Sequence, residues 1–282
     1  LATRIENDNQ PKKRLKRIRH FVLDLDGTVY NGRTLFPFIK EFLGNLKKLH
    51  IEYTFLTNNS SQSTDAYLRK LRRMGLPAKH SQVYTSAQAT IDYLRSHQAT
   101  INRIYLIGTH SLRREFMANG FTVVSEANPD EPQAVIVGFD TSLNYRKLCQ
   151  AGYWIKAGKL FIATHPDLIC PTDQETLLVD CGAICAALET ATGRKPDAVL
   201  GKPDPAMIRN IMQRHTLGKS AVAMVGDRLY TDIEMARQTG IMSILVLSGD
   251  TTRDDLRKSS IFPDLVLENV GELSRILVQS RF

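Results

Sequence analysis

No apolar run in this 282-residue sequence approaches the ~20 residues that a membrane helix requires, and residues 1–20 lack the apolar segment of a secretory signal. The expectation is a cytoplasmic protein without a membrane partner. Cysteine is scarce, and Cys149, Cys170, Cys181 and Cys185 contain no Cys-x-x-Cys pair and no His cluster at zinc spacing. Reduced, mostly buried thiols are therefore expected. The seven histidines are scattered without a nucleophile-and-base pattern. A Gly-x-x-x-x-Gly-Lys-Ser/Thr loop is also missing, which argues against ATP-driven chemistry of the P-loop type.

What is present is the composition of a globular chain, 43% hydrophobic and 23% charged, long enough for one large domain or two ordinary ones. The net charge of +8 is concentrated near the start. Residues 1–19 hold Arg4, Lys12, Lys13, Arg14, Lys16, Arg17 and Arg19 against Glu6 and Asp8, which leaves only +3 for the rest. Such an arm can bind polyanions, but a solvated, partly disordered terminus is the simpler expectation, and it argues against nucleic acid as the partner.

Chemistry is concentrated at the ends of apolar stretches. Phe21, Val22, Leu23 and Leu25 read as a buried strand of a parallel sheet, with Asp24 and Asp26 at its carboxyl end and Gly27 turning the chain away. A second strand, 51–56, runs into Thr57-Asn58-Asn59-Ser60-Ser61, and Ser63 is placed to cap the next helix. A short strand at 198–201 meets Lys202, and a strand at 221–225 ends in Gly226-Asp227, with Asp232 on or just before the following helix. The strand and helix patterns between about 83 and 197 form an α/β set of their own, ending at Gly193, a helix cap. Alternation of strands and helices predicts a doubly wound parallel sheet. The predicted organisation is a basic arm (1–19), an α/β core in two pieces (20–82 and 198–282) and an inserted α/β domain (83–197).

Ligands of open α/β sheets bind at the carboxyl edge of the strands. Pooling the strand ends there gives Asp24, Asp26, Asp227 and Asp232, one ammonium at Lys202, and the neutral groups of Thr57 and Asn58. Four crowded carboxylates repel one another and any anionic substrate unless a cation is present. Hard oxygen donors without Cys or His favour Mg²⁺, which keeps waters and suits phosphates.

In order, Asp24-Leu25-Asp26-Gly27-Thr28, Thr57-Asn58, Gly201-Lys202-Pro203 and Gly226-Asp227-Arg228-Leu229-Tyr230-Thr231-Asp232 resemble the four motifs of haloacid dehalogenase (HAD) superfamily phosphatases. The insertion, with Thr164-His165-Pro166-Asp167 and the stretch from Ala183-Ile184 to Thr192-Gly193-Arg194-Lys195-Pro196, resembles the type IIA (C2A) cap of the NagD-like family. That family includes p-nitrophenyl phosphate and phosphoglycolate phosphatases. The resemblance implies a HAD-like, Rossmann-type core and an aspartyl-phosphate mechanism. Asp24 would be the nucleophile, and Asp26 the acid to the leaving alcohol and then the base to water. Asp24, the Asp26 backbone carbonyl and Asp227 would ligate Mg²⁺, with Asp232 holding its water shell. Thr57, Asn58 and Lys202 would bind phosphoryl oxygens. Asn59 either touches substrate or shapes its loop, and Ser60 and Ser61 read as turn and cap residues.

In Leu178-Val179-Asp180-Cys181-Gly182, where relatives more often carry small, glycine-rich residues, Asp180 and Cys181 depart from the resembling pattern. Cys181 either faces the pocket or is a small buried group. The expected function is a Mg²⁺-dependent phosphatase acting on a small phosphorylated metabolite, with the cap excluding bulky substrates. Its alternatives are a phosphotransferase or phosphomutase on the same core, or a non-catalytic polyanion-binding protein using the arm. Cap-mediated dimers occur in the resembling family, so a homodimer through the cap is a further expectation.

Overall fold

The computed structural model describes residues 9–124, 130–172 and 175–281. Residues 1–8 of the basic arm and positions 173–174 lie outside the described residues. The chain divides into two compact units, one of Leu1–Leu56 with Ile208–Phe282 and one of Thr57–Met207.

In the first unit the strands lie in the order Leu265–Leu267, Met242–Val246, Val222–Gly226, His20–Asp24, Glu52–Thr57, all paired in parallel. Every residue of His20–Asp24, Val222–Gly226 and Met242–Val246 is buried, as befits strands whose sequences run apolar on both faces. The chain leaves His20–Asp24 toward Glu52–Thr57 on one side and returns to Val222–Gly226 on the other. The strand order therefore switches beside His20–Asp24, the crevice in which α/β sheets place their ligands. Phe21 pairs with Ala223 and Leu23 with Val225, so Asp24 and Gly226 end their strands at one level.

Helices Ile39–Lys48 and Val270–Arg281 bury Phe42, Leu46, Leu273 and Leu277 and are tied by Asn45 Nδ2 donating to Ser274 Oγ at 2.9 Å. The basic arm is not simply a solvated terminus. Residues Asn9–Leu15 form a helix, Leu15 and Ile18 are buried, and Arg14 pairs with Asp264. Two apolar anchors and one ion pair thus hold a segment whose composition reads as solvated.

The second unit has its own parallel sheet, in the order Ala198–Val199, Leu160–Ala163, Ala134–Val137, Arg103–Ile107, Thr122–Val123. Its faces are covered by two apolar clusters, one around Ile91, Phe116 and Ile136, the other around Ile155, Phe161 and Ile184. Ser63 caps helix Thr64–Arg73 as expected, accepting from Ala66 N at 3.3 Å, and Gly193 closes helix Cys181–Thr192 at φ +74°. That helix starts at Cys181 because the Asp180 side chain caps it, accepting from Cys181 N at 2.6 Å. A small antiparallel pair, Ile169–Cys170 with Leu178–Val179, precedes it. Among the described residues, no helix is long and apolar enough to cross a membrane.

Candidate active site

At the switch point of the first unit, Asp24, Asp227 and Asp232 are all buried, and each offers a carboxylate oxygen within 4.8 Å of the others. Asp24 closes its strand, and Asp227 follows the strand Val222–Gly226. Asp232 lies in a π-helical turn, Leu229–Ile233, and reaches back so that Oδ2 accepts from Arg228 N at 3.2 Å. Asp26, half-buried, sits two residues past Asp24 in a tight turn where Gly27 N donates to Tyr30 O at 2.8 Å and Val29 N to Leu25 O at 2.9 Å.

The backbone is moulded around Asp227. A methyl group on Gly27, which sits at φ +86°, would fall 2.2 Å from Asp227 Oδ2, and one on Gly249 would fall 2.0 Å from the same oxygen. Asp250 N donates to that oxygen at 2.7 Å, and Ser248 Oγ donates to Gly27 O at 2.8 Å. Only bare Cα atoms allow this approach. The carboxylate is therefore gripped from the turn after one strand and from the loop after another.

Three buried carboxylates so close require positive charge. Arg228 supplies some of it. Burial works against its charge, but Tyr230, Asp227, Asp24 and Asp250 together push the guanidinium above its ordinary range, and it lies 3.6 Å from Asp250. The donor set fits a hard divalent cation such as Mg²⁺, being carboxylate oxygen without nitrogen or sulfur. Arg228 and the Ser248-Gly249-Asp250 loop were not singled out from the sequence. Arg228 adjoins Asp227 in the Gly-Asp-Arg run, and the 248–250 loop follows a buried strand that ends at the same sheet edge, so both had a readable signal.

Thr57, Asn58, Asn59 and Lys202 belong to the second unit, and there Asn58 and Lys202 meet. Asn58 Oδ1 accepts from Lys202 N at 2.6 Å, and Asn58 Nδ2 donates to Lys202 O at 3.0 Å and to Asp167 Oδ2 at 3.1 Å. Thr57 is buried, and its Oγ1 accepts from Asn59 N at 3.2 Å. Asn59 shapes its loop, with Oδ1 accepting from Ser61 N and Oγ at 3.0 and 2.6 Å. Ser60, read from the sequence as a turn or cap residue, is instead a buried link: its Oγ accepts from Phe139 N at 2.9 Å.

Cys181 is fully buried, with Sγ 3.1 Å from the Val137 carbonyl, and Asp180 turns inward to His165, whose Nε2 lies 2.8 Å away. Burial opposes a charge on His165, but Cys181, Asp180 and Asp167 outweigh it and push the imidazole up to about 9. His165, Asp167 and Asp180 also bring ligand atoms within 4.8 Å of one another, but the His165–Asp180 bond accounts for two of them.

Residues 21–122 match the model of Haloacid dehalogenase-like hydrolase, and residues 199–273 match that of HAD-hydrolase-like proteins. The chain is 34% identical over 259 residues to the ribonucleotide monophosphatase NagD of Escherichia coli, covering 92% of this chain and 99% of that one. Its structure superposes on the 4-nitrophenylphosphatase of Thermotoga maritima with a TM-score of 0.87 and 43% identity, over 93% of this chain and 98% of that one. The magnesium complex of a glycerol phosphate phosphatase from Mycobacterium tuberculosis superposes with a TM-score of 0.83 at 33% identity, over 94% and 78% of the two chains. With the motif carboxylates gathered at the switch point of a parallel sheet and similarity of this extent, the chain belongs to the NagD-like family of the haloacid dehalogenase superfamily and is a phosphoric monoester hydrolase.

Proposed function

We propose that this chain is a Mg²⁺-dependent phosphatase that hydrolyses small soluble phosphomonoesters through an aspartyl-phosphate. The buried group of Asp24, Asp227 and Asp232 carries the reading, because it joins a nucleophile to a cation-binding donor set at one sheet edge. Asp24, the backbone carbonyl of Asp26 and Asp227 would hold the ion, with Asp232 fixing its waters. When bound, the cation supplies the positive charge that lets a carboxylate approach a phosphate dianion.

In this reading the Asp24 carboxylate oxygen forms a bond to phosphorus as the bond to the ester oxygen breaks, and Asp26 donates its proton to the departing alkoxide. Asp26, now ionised, takes a proton from water. The water oxygen bonds to phosphorus, and the bond to Asp24 breaks, releasing orthophosphate and restoring both carboxyl groups. Thr57, the main chain of Asn58 and Lys202 bind the phosphoryl oxygens, and Arg228 offsets negative charge on the carboxylate side. Residues 83–197 act as the cap that selects the alcohol part of the substrate. The relatives' names include ribonucleotide, nitrophenyl and glycerol phosphates, which supports a small phosphorylated metabolite as substrate class.

Hydrolysis of p-nitrophenyl phosphate tests this. Turnover is expected with Mg²⁺, lost in chelator and restored by added metal, and Asp24→Asn is expected to fall to background in a folded protein. Persistent turnover in Asp24→Asn would sink the nucleophile assignment, and transfer of phosphate to an added sugar in preference to water would replace hydrolysis by phosphotransfer.

A further inference from the structure

We infer that Asp167, on the loop between the strand Leu160–Ala163 and the strand Ile169–Cys170, is a positioning residue for the phosphate-binding Lys202, acting through the Asn58 side chain. The inference rests on the reading of Lys202 as a phosphoryl ligand and assigns Asn58 a different task from contacting phosphate with its amide.

An Asn side chain has two N–H donors and one carbonyl oxygen. Here one donor goes to Lys202 O at 3.0 Å, the other to Asp167 Oδ2 at 3.1 Å, and the oxygen takes Lys202 N at 2.6 Å. The amide therefore grips both main-chain groups of Lys202, across 144 residues of sequence, and both of its donors are used within the protein. Its carbonyl oxygen can accept from Lys202 N only if the amide is turned this way round, and the acceptor at Asp167 selects that orientation. An Asn flipped by 180° would set its oxygen against the Asp167 carboxylate and the Lys202 carbonyl.

The neighbours keep this clamp tight. Gly201, at φ +77°, lies so close that a methyl group there would fall 2.6 Å from His165 Cβ and 2.8 Å from Asn58 Oδ1. Asp167 itself is held because its carbonyl accepts from Gly182 N at 2.8 Å, at a position where a methyl group on Gly182 would fall 2.2 Å from Pro166 O. The Asn58 carbonyl is fixed in turn by Ser86 Oγ. The loop that carries Asp167 and the start of helix Cys181–Thr192 thus set where the Lys202 backbone, and so its ammonium, is held.

The test measures inorganic phosphate binding by calorimetry in Mg²⁺ buffer alongside the kinetics of p-nitrophenyl phosphate hydrolysis, on the full chain. Asp167→Ala is expected to weaken phosphate binding and raise KM by a common factor of about 10, the size of one lost charge-assisted hydrogen bond. Asp167→Asn, which still offers an oxygen to Asn58 Nδ2, is expected to recover to within about threefold of the parent. Asp167→Ser, a smaller disturbance of the loop, is expected to follow Asp167→Ala if the latter does not fold, as judged by thermal melting. Unchanged phosphate affinity in a folded Asp167→Ala or Asp167→Ser, or no recovery in Asp167→Asn, overturns the inference. Lys202→Ala separates the two layers: if it leaves phosphate affinity unchanged, the reading of Lys202 fails, whereas if it weakens binding and the Asp167 variants do not, only the positioning role fails.

Discussion

Arg228 stands one residue past Asp227 and faces Asp24 and Asp250 as well, so a single guanidinium partly offsets the charge of a site built from carboxylates. Removing it is expected to expose their mutual repulsion. Arg228→Ala should lower stability by about 1–2 kcal/mol in chelator, a value below the range for fully buried pairs because Asp250 is half exposed to solvent. In saturating Mg²⁺ the loss should shrink, since the cation then neutralises the same carboxylates. Paired thermal melts of parent and variant, with and without metal, check this. An equal loss in both conditions would show that Arg228 serves packing and not charge balance.

At the scale of elements, the turn after the strand His20–Asp24 is fixed by what Asp227 needs. Gly27 combines a φ of +86° with a Cβ position 2.2 Å from Asp227 Oδ2. Gly27→Ala therefore meets both backbone strain of roughly 1–3 kcal/mol and a collision that must displace the carboxylate. Activity on p-nitrophenyl phosphate is expected to fall roughly 100-fold, the usual effect of displacing a reacting group by about 1 Å. Gly44, inside helix Ile39–Lys48 with nothing within 4 Å of its added methyl, provides the contrast. Gly44→Ala should leave activity intact and raise stability by up to about 1 kcal/mol. Equal effects at the two glycines would refute this account of the turn.

The same scale separates what could be read from the sequence from what could not. The buried strands and the carboxylates at their ends were legible, because a parallel strand covered on both faces must be apolar throughout and must stop where polar groups begin. Gly193 and Ser63 were legible as caps for equally local reasons. The helix Asn9–Leu15 was not, since its composition is basic and its stability comes from Leu15, Ile18 and a pairing of Arg14 with Asp264 across 250 residues. Nor could the role of the Asn58 amide be read, because its partners Lys202 and Asp167 lie 144 and 109 residues away. Asp180 was noticed as a departure, but a capping carboxylate that also holds a buried histidine needs the fold to be seen.

At the scale of the whole molecule, one buried histidine sets an acid limit on stability. His20, in the first unit, lies with Nε2 2.9 Å from Thr54 Oγ1 and its ring 4.5 Å from that of His215. Burial, and then the proximity of His215, lower its pKa from 6.5 to about 4. The unfolded chain therefore binds a proton at His20 more readily than the native one. The stability it contributes is complete above pH 6.5 and is lost as pH falls through 4, an effect of roughly 3 kcal/mol. His165 adds no matching alkaline limit: its pKa is raised to about 9, but Cys181, the first of the groups that raise it, is itself lowered to about 6, so between pH 6.5 and 9 the native and unfolded chains bind the same number of protons at this pair. Calorimetric melting is therefore expected to show stability falling between pH 6.5 and 4. His20→Gln, which can still bond Thr54, should flatten this acid limb. An unchanged limb in a folded His20→Gln would assign the loss to the net charge of the chain and not to this imidazole.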